Sequence, residues 1–103
     1  MILAKVVGTV WATRKDEQLV GMKLQLVQEI ALDYTPKTQI VVAVDSVGAG
    51  VGEVVLVAQG SSARQTDLTR NKPVDAVIVA IVDTLDVPAE AVEDAEVPAE
   101  VLA

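Results

Sequence analysis

The sequence contains no cysteine, no histidine and no phenylalanine among its 103 residues, and Trp11 and Tyr34 are its only aromatic side chains. Without cysteine the chain forms no disulfides and no thiolate metal sites. Without histidine it lacks the commonest general acid or base and the commonest metal ligand, which argues against an enzyme. We therefore expect no cofactor and no metal.

Long apolar runs are also absent. No run approaches the roughly 20 residues that span a bilayer, and the first residues lack the basic region and the cleavage site of a signal peptide. We therefore expect a cytoplasmic protein with no membrane partner. The apolar residues that are present are mostly valine, leucine, isoleucine and alanine, and abundant valine favours strands. The length fits a single domain.

The charged residues divide the chain into two parts. Residues 1–82 carry as many basic as acidic side chains, whereas the rest carries acidic side chains only, so the whole net charge of −7 lies at the C-terminal end. There the sequence Val-Pro-Ala-Glu occurs at 87–90 and again at 97–100. Proline at the first helical position allows a weak helix in each copy. We predict a folded body over residues 1–86 and a flexible or weakly helical acidic tail over residues 87–103.

The pattern of the body predicts strands and one short helical turn. In the second strand, alternation places Met22, Leu24, Leu26 and Ile30 on one face and Lys23, Gln25 and Glu29 on the other. The connections are too short for crossover helices. This favours a mostly β fold, either a five-stranded OB-like β-barrel with a short helix or a small sandwich. The predicted strands are 2–13, 19–31, 40–44, 53–58 and 76–82, and the helical turn is 60–65.

A glycine-rich loop lies between the third and fourth strands, at Gly48-Ala49-Gly50-Val51-Gly52. A dinucleotide-binding motif requires G-x-G-x-x-G at the start of a helix. Here the spacing is G-x-G-x-G and a strand follows, so we predict a tight connection with positive φ angles. Asp45 and Glu53 flank the loop and would form paired carboxylates if they met. No nucleophile is near them in sequence, so we expect Asp45 to cap the turn and Glu53 to face solvent or an interface.

Ser61 and Ser62 have no histidine that could activate them as nucleophiles. Arg64, which follows them, is interpreted as a hydrogen-bonding or ion-pairing residue at a subunit contact. Trp11, at the end of the first strand, is interpreted as a core or interface residue. The alternative function is an OB-type module for single-stranded nucleic acid, but such a module needs several exposed aromatics with basic residues between them. A neutral body with an acidic tail is also a poor electrostatic partner for nucleic acid.

Several segments together resemble the EutN/CcmL family, the pentameric vertex proteins of bacterial microcompartment shells. The resemblance covers about residues 1–86, and its central block from Asp45 to Arg64 is long and distinctive. The tail beyond Val87 is not part of the pattern. The matching segments are 2–10 (ILAKVVGTV), 21–24 (GMKL), 44–57 (VDSVGAGVGEVVLV), 60–64 (GSSAR), 74–76 (VDA) and 81–83 (IVD).

The resemblance implies a structural protein, an OB-like barrel that forms a cyclic homopentamer and caps the five-fold vertices of a carboxysome-like or other microcompartment in the cytoplasm. Hexameric shell proteins would be its partners. A head-to-tail interface that closes after five copies makes such a ring. Within this framework we expect two groups of residues to matter. Candidates for lining the axial opening are Ser46, Val47, Gly48, Ala49 and Gly50, and candidates for the subunit interface are Glu53, Ser61, Ser62 and Arg64.

Overall fold

Valine-rich segments form all five strands, as expected of β-branched side chains. A computed structural model describes residues 1–12 and 15–88 of the chain, and there the strands close into a barrel. Two short 3₁₀ helices accompany them, η1 (Glu17–Leu19) and η2 (Gly60–Arg64). The strands are β1 (Ile2–Val10), β2 (Lys23–Ile30), β3 (Pro36–Asp45), β4 (Val54–Gln59) and β5 (Ala76–Val82).

The order of the strands around the barrel is β1-β2-β3-β5-β4, with β4 returning to β1. Four of the pairings are antiparallel, and β3 runs parallel to β5 through two opposed pairs, Val44 with Val77 and Asp45 with Ile78. The predicted five-stranded barrel is therefore confirmed, and the sandwich is not formed. The register of β1 against β2 shifts between Val6 and Gly8, which marks a β-bulge or irregularity in β1.

Two apolar clusters hold the barrel together. The first fills the interior and the second lies outside the wall, where η2 and the segment before β5 cover it. The interior cluster consists of Ala4, Val6, Val27, Ala43, Ala49, Val55, Val57, Ala76 and Ile78. The outer cluster consists of Met22, Val44, Ala58, Ala63 and Val77. Small and β-branched side chains fill the narrow interior, which explains how the chain manages without phenylalanine.

In β2 the leucine face does not point into the barrel. Gln25 is 0% exposed and lies inside the barrel with Val27, whereas Leu24 and Leu26 are half-buried on the outer side. The alternation itself is present, but the inner face contains a glutamine because polar partners meet it there. Ile30, at the end of the strand, is 4% exposed, and the register of β2 against β3 shifts between Gln28 and Ile30.

Two local features complete the description. Ser61 and Ser62 lie inside η2 and are exposed, and the residue before that helix, Gln59, makes no side-chain cap. In β5 the first three residues are buried and Val79–Val82 are half-buried. Within the described part of the chain, no helix has the length and apolar character needed to cross a membrane.

The barrel is complete at Val82, inside the predicted body of residues 1–86. Residues 83–88 continue without regular secondary structure. The rest of the predicted tail, residues 89–103, lies outside the described residues, as do Thr13 and Arg14. The division into a body and a tail over 87–103 stays a prediction.

Candidate functional site

The loop between β3 and β4 is fixed by the two carboxylates that flank it. Asp45 Oδ1 accepts hydrogen bonds from the backbone N–H of Val47, at 3.0 Å, and of Gly48, at 2.9 Å. Glu53 Oε1 accepts from the N–H of Gly50 at 2.7 Å. The predicted capping role of Asp45 is confirmed. Each carboxylate is occupied by a different part of the loop backbone, which is a structural role and not that of an acid–base pair.

Glycine is required at two loop positions by backbone conformation. Gly48 has φ of 76° and Gly52 has φ of 95°, in the left-handed region that side chains with a Cβ avoid. The loop is also hydrogen-bonded to β1, because Gly52 N–H donates to the carbonyl of Val6 at 2.8 Å and Val6 N–H donates to the carbonyl of Glu53 at 3.0 Å. The predicted tight connection with positive φ is therefore confirmed, and its position relative to the barrel is fixed.

Gln25 is the functional residue that sequence reasoning missed. Its Oε1 accepts from the Thr9 hydroxyl at 2.8 Å, and its Nε2 donates to the carbonyl of Ala49 at 2.8 Å, inside the barrel. The side chain thus connects β1, β2 and the glycine loop. The signal in the sequence was Val27, two residues later. Residues two apart in a strand share a face, so an inward Val27 places Gln25 inside the barrel and the leucines outside.

The five loop residues predicted to line an axial opening differ in exposure. Ser46, Val47 and Gly48 are exposed, Gly50 is half-buried, and the side chain of Ala49 is buried in the core. Ser46 Oγ donates to the carbonyl of Ile78 on β5 at 2.6 Å. The first three residues therefore present the loop to the outside at one end of the barrel.

The four predicted interface residues lie at two separate places. Glu53 precedes β4, whereas Ser61, Ser62 and Arg64 follow it in η2. All four are exposed. Because β4 contains six residues, its length separates the two places by about 20 Å. Arg64 Nη1 donates to the carbonyl of Val74 at 3.2 Å, which directs the guanidinium along the surface of η2.

Two apolar surfaces lie on opposite sides of the barrel. The first, the β2–β3 wall, includes Ile40, 56% exposed, and Val42, 47% exposed. The second, the β4 wall, surrounds the one strand that borders neither β2 nor β3. Strand alternation and register define their outward residues. The β2–β3 wall consists of Leu24, Leu26, Ile40 and Val42. The β4 wall consists of Leu3, Val54, Leu56 and Ala80, with the exposed Lys5 opposite Val54 at its edge.

Trp11 is not a core residue of the single chain, since it is 89% exposed. It lines a groove with the apolar side chains of Val10 and Met22 and with two lysines, Lys15 and Lys23. The Lys15 Nζ donates to the carbonyl of Met22 at 3.2 Å, which holds the ammonium group at the groove. We call this surface the Trp11 groove.

Within residues 1–12 and 15–88 no three histidine, cysteine, aspartate or glutamate side chains form a group that could hold a metal ion. The two carboxylates that flank the loop are engaged by backbone amides, and apolar side chains contribute to two walls of the barrel surface. The described geometry is that of a surface for assembly.

Comparison with known proteins identifies what this barrel is similar to. A family model described as ethanolamine utilisation protein EutN/carboxysome matches residues 1–83, which include all five strands. The bacterial microcompartment shell vertex protein GrpN of Rhodospirillum rubrum is 46% identical over 86 residues, covering 84% of this chain and 97% of the relative. The carboxysome shell vertex protein CcmL of Synechocystis is 48% identical over 87 residues, covering 84% of this chain and 87% of the relative.

Solved structures agree with the sequence comparison. The pentameric microcompartment shell protein GrpN from Rhodospirillum rubrum superposes with a TM-score of 0.78 at 45% identity, covering 85% of this chain and 100% of that one. CcmL from Nostoc superposes with a TM-score of 0.82 at 48% identity, covering 84% and 92%. The similarity thus extends over the barrel in both sequence and backbone.

Proposed function

Because the chain belongs to the EutN/CcmL family, we propose that it is a structural shell protein that forms homopentamers and caps the five-fold vertices of a bacterial microcompartment in the cytoplasm. One observation carries the proposal: the whole barrel, and not a fragment of it, matches a relative that is a pentameric microcompartment shell protein. The relatives named as vertex proteins come from both microcompartments and carboxysomes. The proposal therefore covers the role in the shell and leaves the enclosed enzymes open.

A cyclic pentamer needs two different surfaces on each subunit, because a head-to-tail contact joins unlike patches. The β2–β3 wall and the β4 wall meet this requirement, since they are distinct, apolar and on opposite sides of the barrel. In the pentamer the β2–β3 wall of one subunit packs against the β4 wall of the next. Because Ile40 and Val42 are about half exposed in the single chain, burying each supplies about 1 kcal/mol, roughly half of the value for full burial.

The glycine loop and η2 take the remaining roles. Residues 46–50 line the axial opening, where the exposed Ser46, Val47 and Gly48 come close to their copies. Glu53, Ser61, Ser62 and Arg64 contribute polar contacts at the edges of the subunit interface. The short distance between Asp45 and the loop amides supports this arrangement, because it presents the loop in one conformation.

The role is structural and not enzymatic, and hexameric shell proteins are the partners at the outer edge of the pentamer. Relatives named as shell vertex proteins support the structural role. The alternative, a module that binds single-stranded nucleic acid, finds no support among these relatives. It is also disfavoured by a chain with two aromatic side chains and a net charge of −7.

The test is the mass of the full chain in solution, by native mass spectrometry and by light scattering over a range of concentrations. We expect five copies. Co-expression with a hexameric shell protein should then give closed polyhedral shells, and omitting this chain should leave them open or irregular. A monomer at every concentration would contradict the pentamer, and equally closed shells without the chain would contradict the vertex role.

A further inference from the structure

The Trp11 groove is not explained by the fold. Trp11 is the only tryptophan of the chain, and 89% of it is exposed although it is the largest apolar side chain present. The neighbouring Val10, which is half-buried, extends this apolar surface, and the buried Met22 also lines the groove. A largely exposed aromatic side chain that follows a strand and has an apolar neighbour is typical of a binding surface.

The groove is also positively charged. Lys15 and Lys23 both line it, and the hydrogen bond from Lys15 Nζ to the Met22 carbonyl fixes one of the two ammonium groups. In the described part of the chain the ion pairs are Lys37 with Glu29 and Arg70 with Asp67, so the two lysines of the groove are not paired there. The occupant that fits this groove therefore combines apolar groups with carboxylates.

The C-terminal segment of this chain has that composition. After Lys72 every charged residue is acidic, and the second Val-Pro-Ala-Glu copy places Pro98 between valine and alanine, with Glu96 and Glu100 on either side. Proline-containing extended segments bind aromatic-lined grooves because little conformational entropy is lost. Carboxylates next to the proline would meet the lysine ammonium groups.

The segment is long enough to reach the groove. Val82, the last residue of β5, lies opposite Val54, which lies opposite Lys5 on β1. From Lys5 to Trp11 the strand continues for six residues, or about 20 Å. Pro98 is sixteen residues beyond Val82, and such a segment spans up to about 50 Å when extended.

We propose that the Trp11 groove is the docking site of the chain's own C-terminal tail, with Pro98 against the indole of Trp11 and the flanking glutamates at Lys15 and Lys23. The contact goes beyond the proposed function and does not depend on it. The tail is long enough to reach the groove of its own subunit. The family model ends at residue 83, so this contact is a feature of the added segment.

Trp11 itself reports the contact, because it is the only tryptophan. The experiment compares acrylamide quenching and the emission maximum of Trp11 in the full chain, in Pro98→Ser and in a chain that ends at residue 88, which retains the complete barrel. We expect Pro98→Ser and the truncation to increase the quenching of Trp11 by acrylamide and to shift its emission maximum to the red. Pro88→Ser, in the first copy, is the matched control and should leave both unchanged.

Two additions make the test specific. A synthetic peptide of residues 87–103 should restore the protection of the truncated chain with a Kd of about 1 mM or tighter, because a tethered segment has an effective concentration in the millimolar range. Lys23→Gln in the full chain should weaken the protection, whereas Lys72→Gln should not, and added salt should weaken it as well.

Equal quenching in the full and truncated chains would overturn the proposal. Weak quenching of Trp11 in both the full and the truncated chain would also overturn it, because a neighbouring subunit would then cover the groove. The mass of each sample is measured alongside. A monomeric chain in which removing the tail exposes Trp11 would contradict the pentamer and still support the docking of the tail.

Discussion

The Nε2 of Gln25 donates a hydrogen bond of 2.8 Å to the carbonyl oxygen of Ala49, and both residues are buried. The bond joins the inner face of β2 to the glycine loop across 24 positions of sequence. Without it, a loop carbonyl would lie inside an apolar barrel with no donor, which costs more than an ordinary hydrogen bond contributes. The conformation of the loop is therefore determined from inside the barrel as well as by its flanking carboxylates.

Gln25→Leu should destabilise the barrel by about 1–3 kcal/mol, because it leaves the Ala49 carbonyl and the Thr9 hydroxyl without their buried partner. Denaturant unfolding at a fixed protein concentration measures the change. Gln28→Leu is the matched control, since Gln28 donates to the carbonyl of Lys37 at 2.7 Å in an exposed position and its loss should cost about 0.5 kcal/mol or less. Equal effects of the two substitutions would contradict the role of Gln25.

Asp45→Ala should destabilise the chain by about 1–3 kcal/mol, because the N–H groups of Val47 and Gly48 lose their acceptor. Asp45→Asn keeps one acceptor oxygen in place. The second oxygen of Asp45, Oδ2, is buried without a hydrogen-bond partner among the described residues, so removing the charge should cost little. Thermal and chemical unfolding measure the loss of stability in each of the two variants. An asparagine variant as unstable as the alanine variant would show that the charge itself is needed.

Gly48→Ala should cost about 1–2 kcal/mol although a Cβ at this position meets no atom within 4 Å, because φ of 76° is unfavourable for alanine. Gly50→Ala is the comparison within the same loop. Its Cβ would lie 3.3 Å from Glu53 Oε1, the end of a flexible side chain, and Gly50 has no positive φ. We expect the smaller loss of stability at Gly50, and the reverse order would refute the conformational argument.

Replacing Ile40 and Val42 together by aspartate should dissociate the pentamer and leave each barrel folded, because both side chains are already exposed in the single chain. Losing two buried apolar contacts weakens each subunit contact by more than about tenfold. Sedimentation velocity gives the oligomeric state and circular dichroism the fold. Gln39→Asp, on the opposite face of β3 and also exposed, should leave the pentamer intact. A pentamer that survives the double substitution would exclude the β2–β3 wall from the interface.

Alternation and short connections were sufficient for the number of strands but left a barrel and a sandwich open, and the resemblance to the EutN/CcmL family selected the barrel. The sequence was also sufficient for the role of Asp45, since an aspartate that precedes a glycine-rich turn usually binds the turn backbone. The faces of β2 were not predictable from hydrophobicity alone. Leucine is more apolar than glutamine, but Leu24 and Leu26 have outer surfaces to cover and Gln25 has polar partners inside.

The exposure of Trp11 could not be predicted, because a lone tryptophan at a strand end is compatible with a core, an interface or a groove. The pairing of β3 with β5 was also beyond local patterns, since it joins residues distant in sequence through two opposed pairs. The lining of an opening by residues 46–50, and the interface roles of Glu53, Ser61, Ser62 and Arg64, stay predictions until an assembled ring is examined.

The short parallel contact between β3 and β5 has a consequence for how the barrel opens. Two opposed pairs and the hydrogen bond from Ser46 to Ile78 close the cylinder at this point, whereas β2 and β3 pair along most of their length. Because only two opposed pairs hold this join, it opens early in local unfolding. Amide protons near Val44 and Val77 are therefore expected to exchange with solvent before those of the β1–β2 pair.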